Sequence, residues 1–198
     1  MPRKALPPVQ SPALTTFSVT AEEYCGVIEA RAGLTREQFL QRVHEVLPRL
    51  YAAALALPST DALFPDKEPA EGEDPAAEAV ADPVPPPDRA RAEPWRALHT
   101  SLTSLIGDRN VYREIYDPYE PLSESEVTGS LADDLADIYR DVRAGLVKWA
   151  RGESGEALWE WRFNFQIHWG EHLTGALRAL YSLSSTYELD WPKKSGAA

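Results

Sequence analysis

Cysteine and methionine each occur once in 198 residues. A lone Cys25 excludes an intramolecular disulfide and any zinc cluster built on thiolates; on the apolar side of a helix it reads as a small core residue. Basic runs are missing too. The nearest is Lys193-Lys194, and the formal net charge is −11, so a nucleic-acid partner is not expected. No uninterrupted apolar run approaches the ~18–20 residues that span a bilayer. The N-terminal Met1-Pro2-Arg3-Lys4-Ala5-Leu6-Pro7-Pro8 lacks the apolar stretch of a signal peptide. No membrane partner is expected, and cytoplasmic residence is the default expectation. There is no glycine-rich phosphate loop, nucleophile elbow or Cys-His pair, no repeat of 20–50 residues, and no segment that reads as strand.

Helical periodicity fills what remains. With 43% hydrophobic residues the chain has an ordinary globular composition, and its length suits one domain. Residues 1–17 are proline-rich and aperiodic and read as a flexible tail. Thr20-Ala21-Glu22-Glu23 has the form of a capping box, which predicts a first helix over about 20–32 ending at Gly33. Thr35-Arg36-Glu37-Gln38 is a second box. It opens a helix with Leu40, Val43, Leu47, Leu50 and Ala54 on one face, in which Pro48 should cause a kink or a break. Residues 65–93 hold seven prolines, nine acidic and three basic residues and no aromatic; such a segment cannot offset its ordering entropy by burial and is expected to be disordered. Pro94 suits the first turn of a third helix with Trp95, Leu98, Leu102, Leu105 and Ile106 in one stripe. Ser130 caps a fourth, with Asp133 and Asp134 in its first turn and Leu131, Leu135, Ile138, Val142 and Leu146 along its face. Gly152 and Gly155 turn the chain into the last helix, 156–183, and residues 186–198 form a C-terminal tail.

The expected architecture is therefore all-α: a single-domain bundle of about five helices over 18–185, interrupted by the acidic insertion, with the C-terminal helix central. At about 100° per residue that last helix is apolar on nearly every side. Its one polar strip holds Glu160, Asn164, Glu171, Arg178 and Ser182. A helix of this kind must be buried on most sides, and His168, His172 and Arg162 fall in or beside its apolar surface.

Two readings follow for those residues. A short turn makes the last two helices antiparallel neighbours, which brings Asp134 and Asp137 toward His172. His168 and His172 lie one turn apart, the spacing at which two imidazoles share a metal, and carboxylates facing histidines across a bundle are how bundles build metal sites. Against this, acidic residues in a first helical turn follow from the helix dipole alone, and a histidine on an apolar face is ordinarily a hydrogen-bonded core residue. Arg162 needs a carboxylate partner if buried, and Asp141 is the candidate. His168-Trp169-Gly170-Glu171-His172 also fits the H-x-x-E-H string of inverted zinc peptidases. Glu171 falls on the polar strip, however, and no third ligand follows. Asp133-Asp134-Leu135-Ala136-Asp137 matches a magnesium-diphosphate string without the second acidic motif that chemistry requires.

The stretches Ser130-Leu131-Ala132-Asp133-Asp134-Leu135-Ala136-Asp137-Ile138-Tyr139-Arg140-Asp141, Trp159-Glu160-Trp161-Arg162-Phe163, His168-Trp169-Gly170-Glu171-His172 and Ala176-Leu177-Arg178-Ala179-Leu180 resemble a bacterial family of uncharacterised all-helical proteins, a domain of unknown function. Tyr116-Asp117-Pro118-Tyr119 looks similar to the family's aromatic Asp-Pro segment. The resemblance covers about residues 17–185 apart from the acidic insertion. It implies a helical fold and a bacterial, cytoplasmic origin, and brings no activity, substrate or catalytic residue.

Two functional expectations are carried forward. The leading one is a non-enzymatic binding or interaction module without a cofactor, whose protein or small-molecule partner is unknown and whose contact residues are Arg162, Trp161, Trp169 and Asp141. The alternative is a metal-dependent, hydrolytic enzyme holding a divalent ion with His168, His172, Asp134 and Asp137.

Overall fold

The computed structural model describes residues 6, 8–60, 63, 89–114 and 127–185, with the side chains of 89–93 left out. Six helical segments and a small hairpin account for it: α1 (Pro12–Glu29), α2 (Arg36–Leu55), α3 (Arg89–Ile106), β1 (Val111–Glu114), β2 (Val127–Ser130), α4 (Leu131–Ala150), α5 (Ser154–Asn164) and α6 (Gly170–Ser185). A π turn, Phe165–Trp169, joins α5 to α6, so the two run on as one long helix and the all-α bundle of five helices holds. Among the described residues no helix is long and apolar enough to cross a membrane.

The N-terminal segment corrects the expected tail. Ser11 is the extended N-cap residue and Pro12 occupies the first turn, where a missing N–H costs nothing. Leu14, Phe17, Ala21, Tyr24, Cys25 and Ile28 follow at helical spacing and are all buried. The apparent capping box at Thr20 lies mid-helix, its hydroxyl donating to the Thr16 carbonyl at 3.0 Å. Even the residues before the helix are docked, since the Leu6 and Val9 amides donate to Glu156 and Ser154 on α5.

Elsewhere the local signals hold. Thr35 accepts from the Gln38 amide while Gln38 accepts from the Thr35 amide, which satisfies two N–H groups that would otherwise face solvent. Helix α2 continues through Pro48 to Leu55, so the expected break does not occur there. Ser130 accepts from the Asp133 amide and fixes the start of α4. The third helix begins earlier than expected, at Arg89, with Pro94 inside it; residues 89–93 thus belong to a helix, and the rest of the predicted acidic insertion lies outside the described residues. Tyr116-Asp117-Pro118-Tyr119 and 186–198 also lie outside them.

A strand pair was not expected. Strands β1 and β2 pair antiparallel, Val111 opposite Ser130 and Glu114 opposite Val127. Four residues per strand are too few for an alternating pattern to stand out. Asn110 ties the hairpin to α4, its backbone carbonyl accepting from the Leu131 amide and its side chain from the Ala132 amide, both at 2.8 Å.

Helix α4 packs against α1, α3, α5 and α6, and the last helix shares the centre with it through contacts to α4 and α2. One continuous apolar core runs through these elements. One of its two largest pieces, Trp161, is fully buried, donates from its indole to the Val142 carbonyl at 2.9 Å, and packs tilted against the Phe17 ring at 4.8 Å between centroids. Gly145 makes this possible: a Cβ there would collide with the Trp161 indole. The Tyr24 hydroxyl donates to the Leu135 carbonyl, which pins α1 onto the same face of α4.

The π turn breaks the constant phase on which a helical wheel depends. An i→i+5 turn adds a residue, so positions before and after it no longer share one 100° progression. Phe163, before the turn, and Ile167, within it, are exposed, Ile167 by 60%. The structure also shows why residue 170 is glycine. Its amide donates to the Phe165 carbonyl, and a Cβ at 170 would strike that same oxygen.

Candidate metal centre between α4 and the last helix

The antiparallel packing of α4 on α5 and α6 sets the carboxylates of one helix against the imidazoles of the other. Asp134, Asp137 and Asp141 fall on one edge of α4 by their i, i+3, i+7 spacing. His168 lies in the π turn and His172 in the first turn of α6, their ring centroids 4.8 Å apart and tilted by 68°. His168 Nδ1 lies 2.7 Å from Asp141 Oδ2, and His172 Nδ1 lies 2.9 Å from Asp134 Oδ1. Each imidazole therefore has a carboxylate on Nδ1. A proton held there leaves the Nε2 lone pair available.

His172 turns its Nε2 toward Asp137. His172 Nε2 is 3.7 Å from Asp137 Oδ2, and one ligand atom each from Asp137, His168 and His172 lie within 4.8 Å of one another. The other oxygen of Asp137 is held by the Trp95 indole N–H at 3.0 Å and by the Arg140 guanidinium at 2.7 Å. Arg140 also reaches Asp141 at 3.2 Å and stands 3.5 Å from His168 Nε2. A guanidinium thus occupies the cation position of a cluster rich in carboxylate.

Burial makes this cluster more than a surface ion pair. Asp134 and Asp137 are buried, at 4% and 7% exposure, and the hydrogen bond to Asp134 holds His172 above its ordinary pKa against the opposing pull of burial. Tyr112 completes the arrangement from β1, donating to Asp134 Oδ2 at 2.7 Å. Its hydroxyl is pushed well above the ordinary tyrosine range, first by burial and then by the Asp134 charge. Gly175 admits it, since a Cβ there would stand 2.5 Å from the Tyr112 oxygen. Glu114 follows on the same strand, and burial, then the Asp134 charge, raises its carboxyl.

One side of the histidine pair opens on a cavity of about 320 Å³ that is also lined by Glu114, Asp133, Asp134, Ile167 and Glu171. The imidazoles therefore face polar space on that side rather than packed hydrocarbon.

The sequence-predicted residues separate cleanly. His168, His172, Asp134 and Asp137 come together, with Asp134 behind His172 rather than among the three convergent groups. Asp141 belongs to the same cluster through His168, which corrects the expected pairing with Arg162. Arg162 is half-buried and donates to the Leu57 carbonyl at 3.2 Å, where a cation suits the C-terminal end of α2. Trp161 and Trp169 are fully buried, Trp169 donating to the Trp161 carbonyl, so neither offers a contact surface. Sequence reasoning missed Tyr112, Trp95 and Arg140. The i, i+3 relation of Asp137 to Arg140, and the need of a buried indole N–H for an acceptor, were the signals that pointed to two of them.

The model of the family described as Domain of unknown function (DUF5063) matches residues 9–186. The chain belongs to this family. No curated protein matches the sequence. Among solved structures, this chain is similar to the crystal structure of protein BF1032 from Bacteroides fragilis, with 22% identity over 94% of this chain and 98% of that one and a TM-score of 0.62. At that identity the likeness shows a common fold and nothing of function.

Proposed function

We propose that this protein binds a divalent first-row transition ion through His168 Nε2, His172 Nε2 and a carboxylate oxygen of Asp137. The observation that carries the reading is that one ligand atom each of Asp137, His168 and His172 lie within 4.8 Å of one another while each imidazole has a carboxylate of its own on Nδ1, Asp141 for His168 and Asp134 for His172. Metal-bound histidines are ordinarily oriented in this way. Two imidazoles with one carboxylate suit zinc, iron(II) or manganese.

Loading requires two movements. Ligand atoms around one tetrahedral ion sit about 3.3 Å apart, given bonds of about 2.0–2.1 Å, so the three groups close by about 1.5 Å at most. Arg140, which holds the other Asp137 oxygen and stands 3.5 Å from His168 Nε2, must turn away from that nitrogen, and the ion then compensates the buried Asp137 charge in its place. Three protein ligands leave positions for water. Both imidazoles also line the cavity of about 320 Å³, and hydrolysis by metal-activated water is the chemistry the ligand set supports best. A purely interacting module is favoured less, because two of the four contact residues it relied on lie in the core.

Metal analysis of untagged protein tests the proposal. The expected result is uptake of one zinc, manganese or iron(II) per chain, with a rise in thermal stability, and its loss in His172→Ala and Asp137→Ala. Saturation at a hundredfold excess over Kd should add about 2.7 kcal/mol. A protein that takes up none of the three ions and shows no stabilisation by them would overturn it.

A further inference from the structure

A groove of about 790 Å³ runs between α3 and α4 and shares no lining residue with the smaller cavity, with Trp95, Leu98, Ala136 and Val147 among its own. Its charge runs against the rest of the chain. Arg31, Arg140, Arg143, Lys148 and Arg151 line it against only Asp141 and Glu160, in a protein whose formal net charge is −11. Lys148 is paired with Glu160. Arg143 reaches Glu29 only at 3.7 Å, with both side chains half-exposed, and a pair of that kind is easily exchanged for another anion. Arg31 donates to the Ser101 hydroxyl and the Ile28 carbonyl, which are neutral acceptors and leave its charge standing. Arg151 follows the last turn of α4 and is exposed.

We propose that this groove binds a small phosphate ester. Several guanidinium groups around one concave wall match a dianion whose oxygens accept in pairs, and the volume is that of a small-molecule site rather than a single ion. Trp95, Leu98 and Val147 supply apolar wall for the organic part. The groove also abuts the proposed metal centre, because Arg140 and Asp141 line it while contacting Asp137 and His168. On the metal reading, an ion on His168 Nε2 displaces the Arg140 guanidinium that stands 3.5 Å from that nitrogen toward the groove, so metal and phosphate ester bind cooperatively. Only this coupling rests on the metal reading; the groove itself does not.

Calorimetric titration of the full chain with phenyl phosphate, a weak chelator, tests the inference in two arms, one with EDTA and one with zinc, beside a zinc titration alone. Binding is expected in both arms, with phenol silent. It should tighten severalfold with zinc and weaken about tenfold in the Arg143→Ala/Arg151→Ala variant, a loss of about 1.4 kcal/mol. Both replaced residues are exposed, and an unchanged melting temperature confirms that the variant is folded. Absence of phenyl phosphate binding in either arm overturns the inference, even where zinc binds and the metal reading stands. So does binding untouched by the double variant, or binding of citrate in the EDTA arm without phenyl phosphate. Binding with EDTA that the variant weakens supports the groove even if zinc does not bind, in which case the metal reading falls alone. Equal affinity with and without bound zinc overturns the role given to Arg140.

Discussion

Near the C-terminal end of α4, Gly145 and Val142 receive the indole of Trp161; two turns earlier on the same helix, Asp137 and Asp134 face the imidazole of His172. Both regions are contacts between α4 and the last helix, and both are largely buried. The first is built from shape. A missing side chain on one helix makes room for the largest side chain on the other, and its single polar atom finds a backbone carbonyl. The second is built from charge, and it packs no better for it. Apolar side chains at these positions would hold the helices together at lower desolvation cost, since buried ionic groups seldom outperform hydrocarbon of the same volume. Packing accounts for the first region completely. In the second it leaves the chemistry of the side chains unexplained, and that surplus is the reason to look for a ligand there.

The two regions should respond to mutation in opposite ways. Trp161→Ala should give the largest effect, a loss of about 3–5 kcal/mol in denaturant unfolding, with zinc affinity of the folded fraction unchanged; a parallel loss of zinc binding would merge the two regions. Asp134→Ala leaves the Tyr112 hydroxyl and His172 Nδ1 without their buried acceptor. It should cost about 1–3 kcal/mol and weaken zinc binding about 10–100-fold, and a variant that binds zinc as tightly as the parent would remove Asp134 from the site. Gly170→Ala drives a methyl group at the Phe165 carbonyl. A cost of about 1–3 kcal/mol is expected, together with a crystal structure in which the π turn is lost and His168 has moved; an unchanged π turn would show that residue 170 does not set it. His168→Ala should change stability by about 0.5 kcal/mol or less and abolish zinc binding, and retained binding would contradict its assignment as a ligand. The smallest effect is at Cys25, whose thiol is pushed up to about 12 by burial. The folded protein should stay unreactive toward iodoacetamide at pH 8 and react once unfolded, because the thiolate is the reactive form; rapid alkylation of the native chain would show that α1 opens.

Much of this was legible from residue order alone, and the reasons differ from place to place. Thr35 and Ser130 mark helix starts because a hydroxyl is the cheapest acceptor for a free N–H, and both do so in the structure. The meeting of Asp134 and Asp137 with His172 follows from a short turn and antiparallel packing. The start of α1 was signalled by Ser11-Pro12 but masked by proline density before it and by a second box-like string at Thr20. Strands β1 and β2 are too short for a period. The π turn is the deeper case. It changes helical phase by one residue at Phe165–Trp169, so a regular wheel carries its error into every residue that follows, and nothing in the composition of Phe-Gln-Ile-His-Trp announces it. Arg140 was missed because its partners lie on both helices, and a cation that stands where an ion is proposed to bind has no signature beyond its spacing from Asp137.

Anomalous diffraction from crystals of the untagged protein grown with zinc tests the metal centre most directly. The expected result is a single strong peak about 2.0–2.2 Å from His168 Nε2, His172 Nε2 and one Asp137 oxygen, with Arg140 withdrawn into the α3–α4 groove and Asp134 and Asp141 still on the Nδ1 atoms. No peak at that position, with Arg140 still beside His168 Nε2 at saturating zinc, would contradict it.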